Sequence, residues 1–233
     1  MSKVDLSNID VPSLITDIWT PLTPEQRLEL QAHLDVQVYK KNEIVHYENE
    51  VPTHMYCLLS GKVKVYKEGA QGRRQIARLI KPVGYFGYRA YFSQEEYVNS
   101  AAAVEQSVIC SIPMKVIGNL IKNNNDLAVV FLKQLSKSLG IADRRAVDIT
   151  QKHIQGRLAE SLFFLKESYG VEEDGCTLSI YLSREDLANL SNMTTSNAIR
   201  VLSQFSAEHL IAIDGRKIKL IDEDKLRKIC KFG

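Results

Sequence analysis

The residues whose types and spacing suit chemistry fall between positions 182 and 205. Thr195, Ser196, Ile199, Arg200 and Ser203 recur at steps that put them on one face of a helix, opposite an apolar face of Ala198, Val201, Leu202 and Phe205. Small side chains and hydroxyls around a single guanidinium can enter a major groove, where an arginine takes guanine O6 and N7 in a bidentate fork. Thr194 stands before this helix as an N-cap. Upstream, Ser183 caps a shorter helix with Glu185 and Asp186 in its first turn and Leu187 and Leu190 on its buried side. Asn192 sits where the intervening turn needs a residue tolerant of positive φ. Residues 210–213 and 217–221 then flank Asp214-Gly215, a hairpin signal that places Arg216 and Lys217 near its tip. Together these segments read as a winged helix-turn-helix facing duplex DNA. The pattern alone also fits an ordinary helix pair and hairpin with a solvated polar face. Ile199 is the odd residue on the polar face: it either packs against the wing or meets a thymine methyl.

Other chemistry finds less support. Cys57, Cys110, Cys176 and Cys230 are scattered, with no C-x-x-C pair and no histidine at ligand spacing, so they read as reduced packing thiols and no metal site is expected. His33, His46, His54, His153 and His209 lack companions for haem ligation and read as structural or solvated. A jelly-roll metalloenzyme of the cupin kind needs two close histidines and a carboxylate, and His46 and His54 stand eight residues apart without one. No nucleophile has a paired base, so the chain does not read as an enzyme. Charge is nearly balanced, with 30 Lys and Arg against 28 Asp and Glu, and from Gln151 onward 12 against 12. The case for DNA therefore rests on local geometry and not on a global basic field.

Several elements must position that face. A chain of 233 residues with 45% apolar content can bury a substantial core and fits two modest domains. Its longest apolar runs are too short to cross a bilayer and its opening residues hold no signal-like stretch, so a cytoplasmic location without a membrane partner is expected. Residues 1–35 form a helical lead-in, where Thr23, Pro24 and Gln26 supply a cap, a proline at the first helical position and a capping-box partner for a helix ending near Leu34. Residues 36–113 change to short β-rich runs with glycine turns, such as Val63 and Val65 alternating with Lys62 and Lys64, which favours an antiparallel roll. Residues 114–150 contain a short helix ending at the turn-prone Asn123, Asn124 and Asn125, then a long one. In the long helix Leu132, Leu135, Leu139, Ala142, Ala146 and Ile149 alternate in steps of three and four. That seam fits a two-stranded homodimer contact, or a helix lying on its own domain's core. Residues 151–233 complete the chain with a helix from His153 to Tyr169, carrying Ile154, Leu158, Leu162 and Leu165 on one stripe, a polar turn at Glu172-Glu173-Asp174-Gly175, a short strand over 177–182, and the winged unit. The fold class is α+β: an N-terminal antiparallel β-roll (a double-stranded jelly roll), a long dimerisation helix and a C-terminal winged helix-turn-helix.

In this order of parts the chain resembles the cyclic-AMP receptor protein/FNR (Crp/Fnr) family of bacterial transcriptional regulators over almost its whole length. The most specific matches are Gly156-Arg157-Leu158-Ala159 and the ungapped stretch 182–213; Leu59-Ser60-Gly61-Lys62-Val63 is similar but less distinctive. The resemblance implies a homodimer on an inverted repeat in double-stranded DNA, a cyclic-nucleotide-binding-like sensor roll, and RNA polymerase as a partner if the protein activates. It sets Arg184 against phosphate or a guanine edge and makes Arg200 the main base-reading arginine. Ser196 stands where many relatives carry an acidic base-reading residue, so the half-site should depart from the usual one.

For the sensor, the resemblance maps a glycine-glutamate pair onto Gly87-Tyr88 and an arginine-serine pair onto Asn99-Ser100. Both charged groups that recognise cyclic AMP are thus missing, and a buried phosphate would lack its charge-assisted partner. The adenine-meeting positions correspond to Ala142 and Asp143, a carboxylate that disfavours an anionic nucleotide. Cyclic AMP is not expected to bind, and any small-molecule effector is of another kind. Arg89 offers itself to a different anion or is a plain surface arginine. No cysteine precedes Cys57, so the N-terminal cluster ligands of iron-sulfur relatives are missing and no cofactor is identified. A cyclic-nucleotide-binding module without DNA binding is a further alternative, weakened by the lost charges and the intact helix-turn-helix.

Overall fold

The computed structural model describes residues 9–69 and 72–232, so the first eight residues of the expected lead-in lie outside the described residues. Short helices α1 (Val11–Leu14) and α2 (Thr16–Trp19) precede α3 (Pro24–Gln31). The start of α3 is the one its residues foretell: Thr23 Oγ1 accepts from the Gln26 amide and Gln26 Oε1 accepts from the Thr23 amide. The helix stops at Gln31, short of the expected Leu34.

Among the described residues eight strands follow: β1 (Asp35–Tyr39), β2 (Ile44–His46), β3 (His54–Ser60), β4 (Val63–Glu68), β5 (Arg74–Ile80), β6 (Tyr85–Phe86), β7 (Ser100–Ala103) and β8 (Ser107–Pro113). They form two four-stranded sheets, ordered β1-β8-β3-β6 and β2-β7-β4-β5. Two apolar layers hold them. Leu58, Val63, Val65, Phe86, Ala101 and Ile109 join the two sheets inside the roll. Met55, Cys57, Cys110 and Ile112 face the other way and meet Ile15, Ile18 and Leu30 of the lead-in. β3 and β8 are therefore covered on both faces, which explains why residues 55–59 and 108–112 are mostly apolar where a half-exposed strand would alternate. At their centre Cys57 lies directly opposite Cys110.

One expectation for this region needs correction. The segment 36–113 is not all strand and turn: α4 (Tyr88–Ser93) interrupts it. Gly87, at φ 84°, opens that helix, and a Cβ there would stand 2.8 Å from the Tyr56 ring, a tertiary constraint that a local pattern does not display. Residues 114–150 hold the short helix and the long one their pattern foretells, α5 (Met114–Lys122) and α6 (Asn125–Gln151). The Asn124 side chain separates them by accepting from the Leu127 amide at 2.9 Å and donating to the Pro21 carbonyl at 2.8 Å.

The chain divides into two compact units, the first running to Glu68 and resuming over Ala77–Leu139, the second comprising Gly69–Ile76 and Gly140–Gly233. The division thus falls inside α6 and not at residue 150. In the second unit α7 (Ile154–Tyr169) buries Leu158, Leu162 and Leu165 as its stripe foretells, with Ile154 half-buried and Gly156 also buried. α10 (Glu223–Phe232), unforeseen from the sequence, lies on α7, with the Arg227 guanidinium 4.4 Å from the Phe163 ring centre. The strand expected over 177–182 does not form. Asp174 Oδ1 accepts from the amides of Cys176 and Thr177, at 3.0 and 2.8 Å, curling the chain into a turn. Only isolated bridges remain, Val171 with Leu178 and Thr177 with Lys219.

Candidate nucleic-acid interface and sensor cavity

The helix pair is set by its caps. Ser183 Oγ accepts from the Asp186 amide at 3.0 Å to start α8 (Arg184–Leu190), and Thr194 Oγ1 accepts from the Asn197 amide at 3.2 Å to start α9 (Thr195–Ala207). Asn192 in the turn between them has φ 49°. Arg145 Nη2 donates to the Leu190 carbonyl at the end of α8, satisfying an acceptor that the helix cannot use itself. Leu187, Leu190, Ala198, Val201, Leu202 and Phe205 are buried and join the two helices to their domain.

The opposite face of α9 is open. Thr195, Ser196, Ile199, Arg200 and Ser203 are all exposed. Ile199 keeps 48% of its surface in solvent, so packing against the wing does not account for it. Arg200 Nη2 donates to Asn197 Oδ1 at 3.2 Å, a bond within the helix that limits the rotamers of the guanidinium. Asn197 was not singled out by the sequence pattern, although its spacing from Arg200 on a helix was the available signal.

The wing consists of β9 (Ile211–Asp214) and β10 (Lys217–Leu220) around Gly215, at φ 55°. Its cations are unequally placed. Arg216 is exposed, with no acid beside it among the described residues. Lys217 Nζ lies 3.4 Å from Glu172 Oε2 and 5.3 Å from the Tyr181 ring centre, and Lys219 Nζ lies 3.1 Å from Asp174 Oδ2. Hydrogen bonds from the Thr177 hydroxyl and from nearby backbone amides hold the Asp174 carboxyl well below the usual carboxylate range, so it stays charged. Arg184 is half-buried at the start of α8. Its Nη2 donates to the Gly215 carbonyl at 2.7 Å, tying α8 to the wing tip, while its Nη1 has no partner.

The expected effector residues are only partly brought together. A cavity of about 40 Å³ in the first unit is lined by Gly87, Arg89 and Asn99, together with His46, Arg78, Phe86 and Tyr97. Tyr88 turns into the core, its ring 5.4 Å from that of Phe131, and Ser100 Oγ is used in accepting from the Glu48 amide. Ala142 and Asp143 are exposed on the part of α6 that belongs to the second unit. Arg78 and Tyr97 were not singled out in the sequence, where His46 reads as structural or solvated. Burial lowers the His46 pKa to about 4, so its ring is neutral, stacked 3.9 Å from the Tyr97 ring centre. Along α6, Leu132, Leu139, Ala142 and Ala146 are exposed, whereas Leu135 and Ile149 are half-buried and Leu135 packs on the first unit's core. Among the described residues no group of three His, Cys, Asp or Glu could hold a metal ion, and no helix is long and apolar enough to cross a membrane.

Comparison with known proteins agrees with this architecture. Residues 36–124 match the family model of the cyclic nucleotide-binding domain, and residues 156–229 that of the Crp-like helix-turn-helix domain. The chain is 21% identical to a CRP-like cAMP-activated global transcriptional regulator of Mycobacterium tuberculosis, over 91% of this chain and 95% of that protein. It is 27% identical to an anaerobic regulatory protein of Bacillus subtilis, over 74% of each. Among solved structures, FixK2 from Bradyrhizobium japonicum superposes with a TM-score of 0.76 at 21% identity, covering 84% of this chain and 96% of that one. With a matched sensor domain, a matched helix-turn-helix in the same order, and relatives aligned along most of their length, the chain belongs to the Crp/Fnr family of DNA-binding transcriptional regulators.

Proposed function

We propose that this regulator acts in the cytoplasm as a homodimer that reads an inverted repeat in double-stranded DNA, has no enzymatic activity, and does not respond to cyclic AMP. The observation that carries the DNA reading is the open face of α9. A helix buried along Ala198, Val201, Leu202 and Phe205 presents Thr195, Ser196, Ile199 and Arg200 together, next to a wing whose tip carries Arg216 and Lys217. Arg200 reads guanine, Ser196 gives or takes a hydrogen bond where a carboxylate would only accept, and Ile199 meets a thymine methyl. Arg184 serves the interface through the wing, where its Nη2 holds the Gly215 carbonyl at the tip. Homodimerisation through α6 is supported by the exposure of Leu132, Leu139, Ala142 and Ala146, apolar positions of one heptad seam.

The size of the cavity supports insensitivity to cyclic AMP. A nucleotide requires a pocket of roughly 300 Å³ or more, and the space between His46 and Asn99 amounts to about 40 Å³. Asn99 also supplies no charge to a phosphate at the position the family resemblance indicates. If the protein activates transcription, RNA polymerase is its further partner.

In vitro selection of random duplex DNA with purified protein at a fixed salt concentration tests this reading. The expected result is an inverted repeat whose half-sites lie about one helical turn apart. Enrichment of single half-sites would remove the homodimer, and enrichment of nothing, in buffer and in cell extract alike, would remove the DNA reading of α9. Calorimetry with cyclic AMP should show no micromolar binding.

A further inference from the structure

Within the second unit, the end of α6 is joined to the helices after it by long side chains that reach helix termini. Arg157 of α7 donates from Nη1 to the Ile149 carbonyl, in the last turn of α6, at 3.1 Å. Lys152, between the two helices, lies 2.7 Å from Asp148 of α6 and 2.9 Å from Glu160 of α7. Both ties sit at the α6–α7 connection, and a body held only at its connection can pivot about it. Arg145 adds an attachment further back: its Nη2 donates to the Leu190 carbonyl, at the last residue of α8, at 3.2 Å. Seven residues separate Arg145 from Lys152, roughly 10 Å along a helix axis, so the tie acts as a strut away from the pivot.

The strut is well seated. The last carbonyls of a helix lack partners inside it and carry the negative end of its dipole, so a guanidinium there answers both needs. The Arg145 guanidinium also lies 5.6 Å from the Phe164 ring centre, an α7 side chain. Burial lowers its pKa, and Asp148, three positions on, opposes that fall; a guanidinium stays charged in either case. The position on α6 matters as much as the contacts. Ala142 stands three residues before Arg145 and Ile149 four after, so Arg145 borders the apolar seam assigned to the homodimer contact. Ala142 and Ala146 are small and exposed, which lets two such helices approach closely at this level.

We propose that Arg145 is a positioning residue that sets the half-site spacing of the inverted repeat. It holds α8, and α9 with it, at one distance from the seam along which two protomers meet. One base pair more or fewer between half-sites moves each by about 3.4 Å and turns it around the duplex, and a braced reading head cannot follow. Spacing is thus read through α6 while sequence is read by α9. The proposal rests on the homodimer reading of α6 and α9.

The test is fluorescence anisotropy of the full-length protein at fixed salt on four duplexes: the selected repeat, the same repeat with one base pair added or removed between half-sites, and a single half-site. Arg145→Met keeps the length of the side chain and loses its charge and donors. It should bind the single half-site within about twofold of the wild type, while its preference for the selected spacing falls at least about fivefold, the scale of one charge-assisted hydrogen bond. Arg145→Lys keeps a charged donor but not the flat fork over Phe164, and should fall between the two. Should Arg145→Met fail to fold, Phe164→Leu, which removes the seat and leaves the arginine, should also blunt the preference. Equal losses on all four duplexes would make Arg145 a support for α8 alone and overturn the role. A wild type without any spacing preference removes the homodimer reading and this role together, whereas a wild-type preference that all three variants share removes this role alone.

Discussion

Arg200 carries the sharpest residue-level expectation. It is exposed, and Asn197 orients it. Arg200→Ala should therefore cost about 1–3 kcal/mol of discrimination between the selected half-site and one with its contacted guanine replaced. Fluorescence anisotropy with the two duplexes reads this directly, and a loss equal on both duplexes would reassign Arg200 to phosphate. His46 gives a pH dependence. Its folded pKa of about 4 lies below the ordinary 6.5 because burial disfavours the charged ring, so the unfolded chain takes up the proton first. Stability from this residue is fully present above pH 6.5 and is lost as pH falls towards 4, by up to about 3 kcal/mol. Urea titrations between pH 7 and 4 should show the decline, and His46→Gln should flatten it. Residues of this kind differ in how far a sequence reveals them. Thr23, Ser183 and Thr194 each accept from the amide three positions on, so their roles are legible in a string of letters. Arg78 and Tyr97 meet His46 only after the strands pair, and no local spacing announces that meeting.

At the scale of elements, the wing shows how neighbouring segments revise a residue's role. Lys217 looks like a DNA-facing cation in the sequence, but the 172–174 turn places Glu172 against it, and Asp174 against Lys219. Exposed pairs of this sort are worth little in stability, yet each diverts a positive charge from DNA phosphates. Arg216→Ala should lower the slope of log affinity against log salt by about 1, whereas Lys217→Ala should change it less, and Glu172→Gln should steepen it. Equal slopes for the two single cation variants would mean that DNA displaces Glu172 freely. The same turn explains the misplaced strand at 177–182: Asp174 spends the amides of Cys176 and Thr177 in a side-chain turn before a ladder can use them. α9 was legible because its two faces differ so cleanly in polarity. α4 was not, since its start depends on the Tyr56 ring beside Gly87.

For the whole molecule, α6 is the decisive element. Leu139 is 63% exposed within an apolar seam, so Leu139→Glu should leave the protomer's stability within about 0.5 kcal/mol. The same change should weaken self-association at least about tenfold, through a buried charge at the contact. Sedimentation velocity reports the association, and circular dichroism the intact fold; a dimer unaffected by the change would place the contact elsewhere. The seam's steps of three and four were readable from the sequence, but the division of the chain within α6 was not. A helix that continues through a boundary carries no change of composition to mark it.

The double cover over β3 and β8 has a kinetic consequence. Cys57 and Cys110 face each other where these strands are shielded on both sides, and burial pushes both thiols up, Cys110 to about 12. Neither can form much thiolate while the roll is closed, so an alkylating reagent must wait for the central ladder to open. Cys176, partly exposed in the second unit, has no such shelter. The protein thus carries an internal clock: the lag between alkylation at Cys176 and at the Cys57–Cys110 pair measures how long the roll outlasts local openings of the DNA-reading unit.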